Sequence, residues 1–452
     1  MTSELLIRGA DAVWTGLRTL TGVDVRCGPA ATKRAPGTTD AVPLGVREIG
    51  PALAEAAGAE VLDASGCVVV PGLVNAHHHL LQSAFRTLPG TRHVPMREWL
   101  RAMAGAYAAA RVDAELCGAA AAVGVAEGLL CGVTTVADHH LTWPADADHL
   151  AMAEAVAAAA RGLGGRLVLV RGTAGDDPDL AAAAAEALVT RFGPRSGDGL
   201  LALAVGPAGV HSDGPRTFAA LREVALRHGL PRRTQANEQV DVAAASVRYG
   251  RRPLQLLEEW GWLEPGVTVA HLCGVAPGEV ARVAAAGACA THAPGCDLPM
   301  GWGLAPAGAL LDAGVAVGLG TSGGGSNDAG HLLADARLAL QVSPLSGRPL
   351  TASETLAMAT RGSARGLGRP ELGHLEPGAA ADLAVYDMGG VADAGVADPV
   401  AGLLWASPGR RPRDVVVAGR PVVREGRLCH AEERQLAVAL RRLLETRKAV
   451  AA

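Results

Sequence analysis

Aromatic residues are scarce in this 452-residue chain, at 3% of the composition. So few stacking side chains argue against a surface for single-stranded nucleic acid. Charged residues make up 19%, and the formal net charge is -4. This balance lacks the basic excess that nucleic-acid binding usually requires. We therefore expect no nucleic-acid partner.

The chain also lacks a cysteine framework and a long apolar run. Its 8 Cys are scattered without a CxxC pair, so we expect neither a disulfide network nor a cysteine-based zinc site. No uninterrupted apolar run reaches the roughly 18 residues of a membrane span. Residues 1–8 lack the basic and apolar regions of a secretory signal. These observations predict a cytoplasmic protein that has no membrane partner.

Apolar residues, in contrast, are abundant at 49%, which is enough for a large core. Residues 5–70 show short strand patterns that end at Gly or Pro, and this pattern returns at 381–387 and 414–423. Between these regions, apolar strands alternate with Ala- and Leu-rich helical stretches. Strands are predicted at 167–170, 201–205, 267–270 and 315–319, and helices at 147–162, 178–191, 215–228 and 275–286.

Alternation of this kind over roughly three hundred residues is typical of a parallel α/β fold. We predict a (β/α)8 TIM-type barrel over residues 71–374, with a doubly wound open sheet as the alternative. Neither end of the chain could bury a sheet face alone. Residues 1–70 and 375–435 are therefore expected to form one small composite β-sandwich domain. Residues 436–452 are predicted to form a C-terminal helix or tail.

The segment PGLVNAHHH at 71–79 follows an apolar strand pattern. Alternate residues of an extended segment point the same way, so His77 and His79 can direct two imidazoles at one ion. Imidazole nitrogen is a preferred ligand of zinc and similar metals. A solvated polar loop is the alternative. The pattern predicts a metal site.

His271 ends the apolar segment 267–271. In a barrel this end of a strand faces the active-site mouth. There His271 would complete a three-histidine set with a position left for water, although a hydrogen-bonded structural histidine is the alternative. Glu238 follows the segment RTQAN, and a carboxylate beside a metal-bound water can move the proton during attack and departure. An exposed glutamate is otherwise only a solvated charge.

The glycine-rich segment GTSGGGSND at 320–328 follows another apolar strand pattern. It lacks the GxGxxG spacing and the GK[ST] ending of phosphate-binding loops. Ser322 also lacks the surroundings of a nucleophile elbow. We therefore expect neither a nucleotide site nor a serine nucleophile here.

Four segments resemble the amidohydrolase superfamily, in its branch of heterocycle deaminases and chlorohydrolases: 71–79, 234–238, 269–271 and 320–328. The resemblance spans essentially the whole chain. Within the branch, 136–140 and 298–306 are most similar to the s-triazine hydrolases, and the three histidines followed by Gln82 resemble the 8-oxoguanine deaminases. The resemblance implies a barrel with a composite β domain and one divalent metal. Zinc is the expected metal and iron is the alternative. It also implies a homodimer that displaces an amino, halide or similar group from a nitrogen-rich ring by hydrolysis.

The chain departs from the family pattern at two positions. Gln235 replaces a metal-binding histidine, and Ser322 replaces a metal-binding aspartate. A neutral amide oxygen is a poorer partner for zinc than imidazole. Two function classes therefore remain open. The protein is an active metallohydrolase with a reduced ligand set, or a degenerate member that binds a small ring compound or a partner without turnover.

The resemblance also places five residues in the substrate pocket. They are Gln82, Trp99, His139, Trp302 and Ser322. The two tryptophans could equally be core aromatics. His211 ends another strand pattern and is a spare candidate ligand.

Overall fold

The computed structural model describes residues 4–29 and 44–451. Residues 1–3 of the segment considered for a secretory signal lie outside this range. The strands are β1 (Leu5–Ala10), β2 (Ala12–Trp14), β3 (Thr19–Leu20), β4 (Val23–Pro29), β5 (Leu44–Gly50), β6 (Glu60–Asp63), β7 (Cys67–Pro71), β8 (Leu73–His79), β9 (Val133–His140), β10 (Arg166–Thr173), β11 (Leu201–Pro207), β12 (Arg232–Ala236), β13 (Val267–His271), β14 (Cys289–His292), β15 (Val317–Leu319), β16 (Ser322–Gly323), β17 (Leu383–Asp387), β18 (Asp414–Val417), β19 (Arg420–Arg424) and β20 (Arg427–Leu428).

The helices alternate with the strands over the middle of the chain. They are α1 (Met96–Ala110), α2 (Ala114–Leu130), α3 (His149–Leu163), α4 (Pro178–Phe192), α5 (Pro215–His228), α6 (Gln239–Tyr249), α7 (Pro253–Glu259), α8 (Glu279–Ala285), α9 (Pro294–Asp297), α10 (Ala307–Asp312), α11 (Leu332–Val342), α12 (Ala352–Ala357), α13 (Ser363–Gly366), α14 (Pro399–Trp405) and α15 (Glu433–Ala451). Within the described ranges, no helix combines the length and the apolar character needed to span a membrane.

A parallel barrel forms the centre of the molecule. Its strands follow the order β15-β14-β13-β12-β11-β10-β9-β8-β16. β15 and β16 are two parts of one eighth strand, interrupted at Gly320 and Thr321. Because β15 pairs with β14 and β16 pairs with β8, the sheet closes on itself. The predicted (β/α)8 barrel is confirmed, and the open-sheet alternative is wrong.

Strands from both ends of the chain pair outside the barrel. A seven-stranded sheet has the order β20-β19-β18-β17-β7-β2-β3, and a four-stranded sheet has the order β5-β4-β1-β6. In the seven-stranded sheet, β17 from the C-terminal part pairs antiparallel with β7 from the N-terminal part, and Leu383 lies opposite Pro71. Apolar side chains of both sheets, including Ile7, Val69 and Val416, share one core. Burial of this common core explains why the two ends of the chain depend on each other.

Some predicted element boundaries shift in the structure. The strand pattern 414–423 is a hairpin, because Ala418 and Gly419 have φ of 51° and 75° and turn the chain. The helix predicted at 275–286 begins only at Glu279, after Gly278 with φ 84°. The strand predicted from Val315 begins at Val317, and the C-terminal helix begins before residue 436.

The barrel strands end at one face, and the segment after β8 covers that face. This segment contains α1, whose Trp99 and Met103 are buried. The C-terminal helix α15 holds α1 and α2 in place through Arg447. Its guanidinium donates to the Ala110 carbonyl at 3.0 Å and to the Asp113 carboxylate at 2.8 Å. The α1 segment that covers the barrel face is therefore tied to the C-terminal helix.

Candidate metal centre and active site

Four buried histidines converge at the carboxyl ends of the barrel strands. The His77 ring centroid lies 4.8 Å from that of His79 and 5.0 Å from that of His271. His139, at the end of β9, lies 5.8 Å from His77. Alternation along β8 places His77 and His79 on the same side, as predicted. The structure thus brings together the three imidazoles proposed as metal ligands.

Hydrogen bonds fix which nitrogen the His79 and His271 imidazoles present. His79 Nδ1 lies 2.7 Å from the His139 carbonyl, and His271 Nδ1 lies 2.8 Å from Asp297 Oδ1. The Nε2 atoms of His77 and His271 are buried and have no hydrogen-bond partner among the described residues. Buried polar atoms ordinarily have partners, so this pair of unpaired nitrogens fits a bound cation. Nδ1 contacts of this type orient the imidazoles of metal sites.

Charge state also favours metal binding by the β8 histidines. Burial, helped by neighbouring imidazoles, lowers the pKa of His77 well below its usual value. Burial lowers the pKa of His79 to about 4, although the hydrogen bond to the His139 carbonyl opposes the shift. Both rings are therefore neutral near pH 7, which is the form that ligates metal.

His271 lies between two carboxylates. Burial opposes its protonation, but the charges of Glu238 and Asp297 outweigh burial and raise the pKa of His271 to about 9. A cation bound at Nε2 would replace the proton on that nitrogen. It would lie beside Glu238, while Asp297 would stay hydrogen-bonded to Nδ1. The negative charge of the two carboxylates around His271 favours a divalent ion at this nitrogen.

A second group of potential ligand atoms overlaps this centre. His271, Cys273 and Asp297 place their ligand atoms within 4.8 Å of one another. Burial and nearby carboxylates raise the pKa of the Cys273 thiol well above its usual value. A neutral thiol is a poor ligand, and Asp297 already accepts from His271. We therefore interpret Cys273 and Asp297 as support for His271.

Glu238 precedes α6 and is buried beside the histidine cluster. Its Oε1 lies 3.9 Å from His271 Nε2. Burial raises the pKa of Glu238 to about 7, against the opposing effect of His271. Left-handed backbone conformations occur next to it at Asn237 (φ 58°), at His271 (φ 70°) and at Ser322 (φ 54°). Backbone strain of this kind concentrates at functional sites.

The two departures from the family pattern lie at the same centre. Gln235 is on β12 opposite Ala270 of β13, one position before the register of His271. Its side-chain amide has no hydrogen bond to the protein within the described ranges. Ser322 begins β16 opposite His78 and lines the same cavity as Gln235. Both residues therefore line the cavity that contains His79 and His271.

A cavity of about 850 Å³ opens above this centre. Its lining includes all five residues proposed for the substrate pocket: Gln82, Trp99, His139, Trp302 and Ser322. Trp99 Nε1 donates to the Gly325 carbonyl at 2.9 Å, whereas Trp302 Nε1 is buried without a partner in the described structure. A substrate-binding role for Trp302 stays a prediction.

Several residues in and behind the cavity wall escape prediction from the sequence. Asp297 begins no recognisable motif, and Asp241 lies inside a helix that carries several polar residues. Met96, Met103, Tyr107 and Trp143 line the cavity from α1 and from the segment after β9. Apolar residues at these positions carry no signal that separates a cavity wall from a core. The middle histidine of the motif, His78, points away and lies 2.9 Å from Thr321 Oγ1.

A closed barrel with a buried histidine centre and an adjacent carboxylic acid defines the class of metal-dependent barrel hydrolases. The chain belongs to the amidohydrolase family, whose model matches residues 68–422.

Relatives and solved structures agree with this assignment. The chain is 33% identical to an 8-oxoguanine deaminase of Pseudomonas aeruginosa over 378 residues, covering 80% of this chain and 83% of that protein. It is 31% identical to an isoxanthopterin deaminase of an unknown prokaryote, covering 92% of each chain. The zinc complex of atrazine chlorohydrolase from Arthrobacter aurescens TC1 superposes with a TM-score of 0.89 at 33% identity, covering 97% of this chain and 100% of that chain.

These comparisons confirm the family, the metal-dependent hydrolase class and the divalent metal predicted from the sequence. The roles of individual residues stay predictions, for which the site geometry supplies the physical basis.

Proposed function

We propose that this protein is a zinc-dependent deaminase that removes an amino group from a nitrogen-rich heterocycle. The observation that carries the proposal is the buried Glu238 carboxyl, 3.9 Å from His271 Nε2 at the cavity floor. An amine leaves readily only after protonation, whereas chloride leaves without a proton. The Glu238 carboxyl, whose pKa burial raises, is placed to hold that proton and deliver it to the amine. The site therefore favours an amino leaving group.

His77, His79 and His271 would hold the zinc, with Gln235 near it. When bound, the ion lowers the pKa of a water molecule and supplies positive charge to the reaction. Glu238 takes the proton from the attacking water and returns it to the departing amine. Asp297 keeps His271 in the orientation that presents Nε2 to the centre.

The pocket residues present fixed donors and acceptors to a flat ring. His139 Nε2 lies 2.8 Å from the Gly206 carbonyl, and burial lowers the pKa of His139 to about 3. The neutral ring donates from Nε2, so Nδ1 is left as an acceptor. Gln82 Oε1 accepts from the Gly325 N–H at 3.1 Å, and the Gln82 side chain lines the cavity. The Trp302 indole N–H is buried and has no partner among the described residues.

Trp99 and Ser322 complete the pocket. The Trp99 and Trp302 rings pack edge to face, with centroids 5.2 Å apart. The two tryptophans would form an aromatic wall against which a heterocycle can pack. Ser322, at the start of β16, supplies a hydroxyl close to the metal ligands. The substrate is thus expected to be a planar, polar ring that is bound along its edges.

The protein is also proposed to act as a cytoplasmic homodimer, as the family resemblance implies. Exposed Leu180 on α4 and Leu226 on α5, with 71% and 56% of their surfaces accessible, are available for an interface. Light scattering after size-exclusion chromatography measures the mass. A monomer at micromolar concentration would contradict this part of the proposal.

Metal analysis and product assays together test the function. Protein purified without chelator is expected to contain one equivalent of zinc, and to release ammonia from aminated purines, pteridines or triazines. Chlorinated analogues of the same rings test halide release in parallel. Metal well below one equivalent that added zinc does not restore would favour the degenerate alternative. Chloride release without ammonia release would replace the deaminase assignment by a chlorohydrolase.

A further inference from the structure

A buried turn between β12 and α6 carries Glu238 into the cavity. Asn237 forms this turn in the left-handed conformation, with φ 58°, and its side chain is fully buried. Asparagine adopts this conformation more readily than most residues, but the conformation still costs free energy. Glu238 follows directly and precedes the first residue of α6. The direction of the Glu238 side chain therefore depends on whatever holds Asn237.

The segment after β13 holds Asn237 by both its side chain and its backbone. Asn237 Nδ2 donates to Glu279 Oε2 at 2.8 Å, and Glu279 is the one partner of this amide among the described residues. The Gly274 N–H donates to the Asn237 carbonyl at 2.7 Å. A Cβ atom at Gly274 would lie 2.9 Å from that carbonyl oxygen, so the two backbones approach closely. The turn is thus bound to the segment that follows His271.

Glu279 is itself fixed by a buried ion pair. Its side chain lies in the first turn of α8 and is buried. Arg252 donates to both carboxylate oxygens, from Nε to Oε1 at 2.8 Å and from Nη2 to Oε2 at 2.9 Å. The Ala276 N–H donates to Oε2 at 2.7 Å. A two-point contact of this kind fixes the carboxylate in position as well as in charge.

Helix capping alone does not account for this arrangement. The Ala276 contact is sufficient to cap α8, whereas the contact to Asn237 reaches across to another barrel segment. Within residues 4–29 and 44–451, the cavity lining includes neither Glu279 nor Arg252. Neither residue is therefore placed to touch a substrate. Their path to the active site runs through Asn237.

We propose that Glu279 is a positioning residue, which acts through Asn237 to hold the Glu238 carboxyl where it exchanges the proton. The inference rests on the proposed deaminase function and adds a residue to its mechanism. Glu279 links the segment that carries Glu238 to the segment that follows His271, and these two side chains approach to 3.9 Å. A displacement of about 1 Å at a reacting group can reduce the rate by about 10²-fold.

The first test is the effect of Glu279→Ala on kcat and KM separately. Zinc-loaded wild type and variant are assayed for ammonia release on whichever of guanine, pterin and melamine the wild type converts fastest. We expect kcat to fall by about 10- to 100-fold, because the Glu238 carboxyl is less well placed. KM should change by less than about 3-fold, because the residues that line the cavity are kept. Zinc content should stay that of wild type.

Two further variants separate the contact to Asn237 from the cap of α8. Glu279→Gln keeps an oxygen that can accept from Asn237 and loses the charge toward Arg252. We expect it to restore kcat to within about 5-fold of wild type. Asn237→Gly keeps the left-handed backbone, the ion pair and the cap, and removes only the amide. We expect it to lower kcat as Glu279→Ala does.

A double-mutant cycle with Glu238→Gln gives the decisive readout. When the proton can no longer be carried at position 238, its placement no longer matters. Adding Glu279→Ala to Glu238→Gln should therefore lower kcat by less than about 3-fold further. A merely structural residue would lower kcat by the same factor in both backgrounds. Asn237→Gly in both backgrounds makes the same test if Glu279→Ala does not fold.

Glu354 provides the matched control. It also lies in the first turn of a helix, α12, where it accepts from the Thr351 N–H at 2.8 Å and from Arg348 Nη2 at 2.7 Å. Among the described residues it does not line the cavity. Glu354→Ala should lower thermal stability, through loss of a cap and an ion pair, and leave kcat unchanged.

The outcomes distinguish this inference from the proposed function. Equal factors in the two backgrounds, wild-type kcat in Asn237→Gly, or a loss that appears only in KM would overturn the inference and leave the deaminase activity standing. A loss of kcat in Glu354→Ala as large as that in Glu279→Ala would overturn it as well. Zinc-loaded wild type that releases ammonia from none of the three rings would contradict the proposed function, and the inference with it.

Discussion

His271 Nδ1 lies 2.8 Å from Asp297 Oδ1, and both side chains are buried. This contact determines that Nε2, the nitrogen without a partner, faces His77 and Glu238. A buried carboxylate also increases the electron density of the imidazole. We therefore expect metal binding to depend on Asp297, a residue outside the expected ligand set.

Asp297→Asn is expected to weaken zinc binding by about 10- to 100-fold, the usual effect of losing such a supporting contact. The amide can still accept a hydrogen bond but carries no charge. Competition against a graded series of chelators measures the affinity. Asp24→Asn is the matched control, because among residues 4–29 and 44–451 buried Asp24 accepts only from the backbone N–H groups of Gly9 and Leu53. Unchanged zinc affinity in Asp297→Asn would remove Asp297 from the centre.

Glu238→Gln is expected to lower kcat by about 10²- to 10⁴-fold, because the amide cannot carry the proton between water and amine. Zinc content and thermal stability should stay close to wild type, since the shape of the side chain is kept. Steady-state ammonia release measures the change. Glu264→Gln is the control, because Glu264 pairs with Arg232 outside the cavity. Wild-type turnover in Glu238→Gln would exclude the proposed proton transfer.

Gln235→His should raise zinc affinity, because it places a fourth imidazole on β12 next to the centre. The effect on turnover can take either sign, since better occupancy competes with a filled coordination position. Chelator competition decides the affinity. Gln255→His is the control, because Gln255 caps α7 through the Arg252 backbone N–H. A variant that holds zinc no better than wild type would show that Gln235 does not face the metal.

Asp335 provides a test of pH-dependent stability outside the cavity. Burial raises its pKa to about 7, although Asn327 and the Gly295 N–H oppose the shift. Because the folded state then binds the proton more tightly than the unfolded state, stability falls as pH rises from about 4 to 7. This contribution is at most about 1.4 kcal/mol per pH unit.

Asp335→Asn removes that proton and should flatten the dependence. Urea unfolding of both proteins at several pH values gives the difference in free energy of unfolding. The wild type should lose stability relative to the variant as pH rises. A constant difference between pH 4 and 7 would show that Asp335 is ionised normally in the folded protein.

The sequence itself predicts the barrel and the histidine centre, because both follow from local patterns. Apolar strand segments alternating with helices specify a parallel sheet, and period-two alternation on β8 places His77 and His79 together. The helix at 215–228 is predicted to its last residue, since Pro215 begins it and Gly229 ends it. The family motifs add Glu238 and His271 to the same site.

Only the tertiary structure brings distant residues into the partnerships that tune this site. Asp297 follows β14 and meets His271 at the end of β13, while Asp241 on α6 meets His211 from the segment after β11. Such pairs depend on barrel closure and on side-chain direction, which no short pattern encodes. The orientation of each imidazole, the unpaired Trp302 N–H and the shape of the cavity are decided in the same way. Local sequence determines the backbone elements that carry these groups. Tertiary packing determines which hydrogen bonds their side chains make.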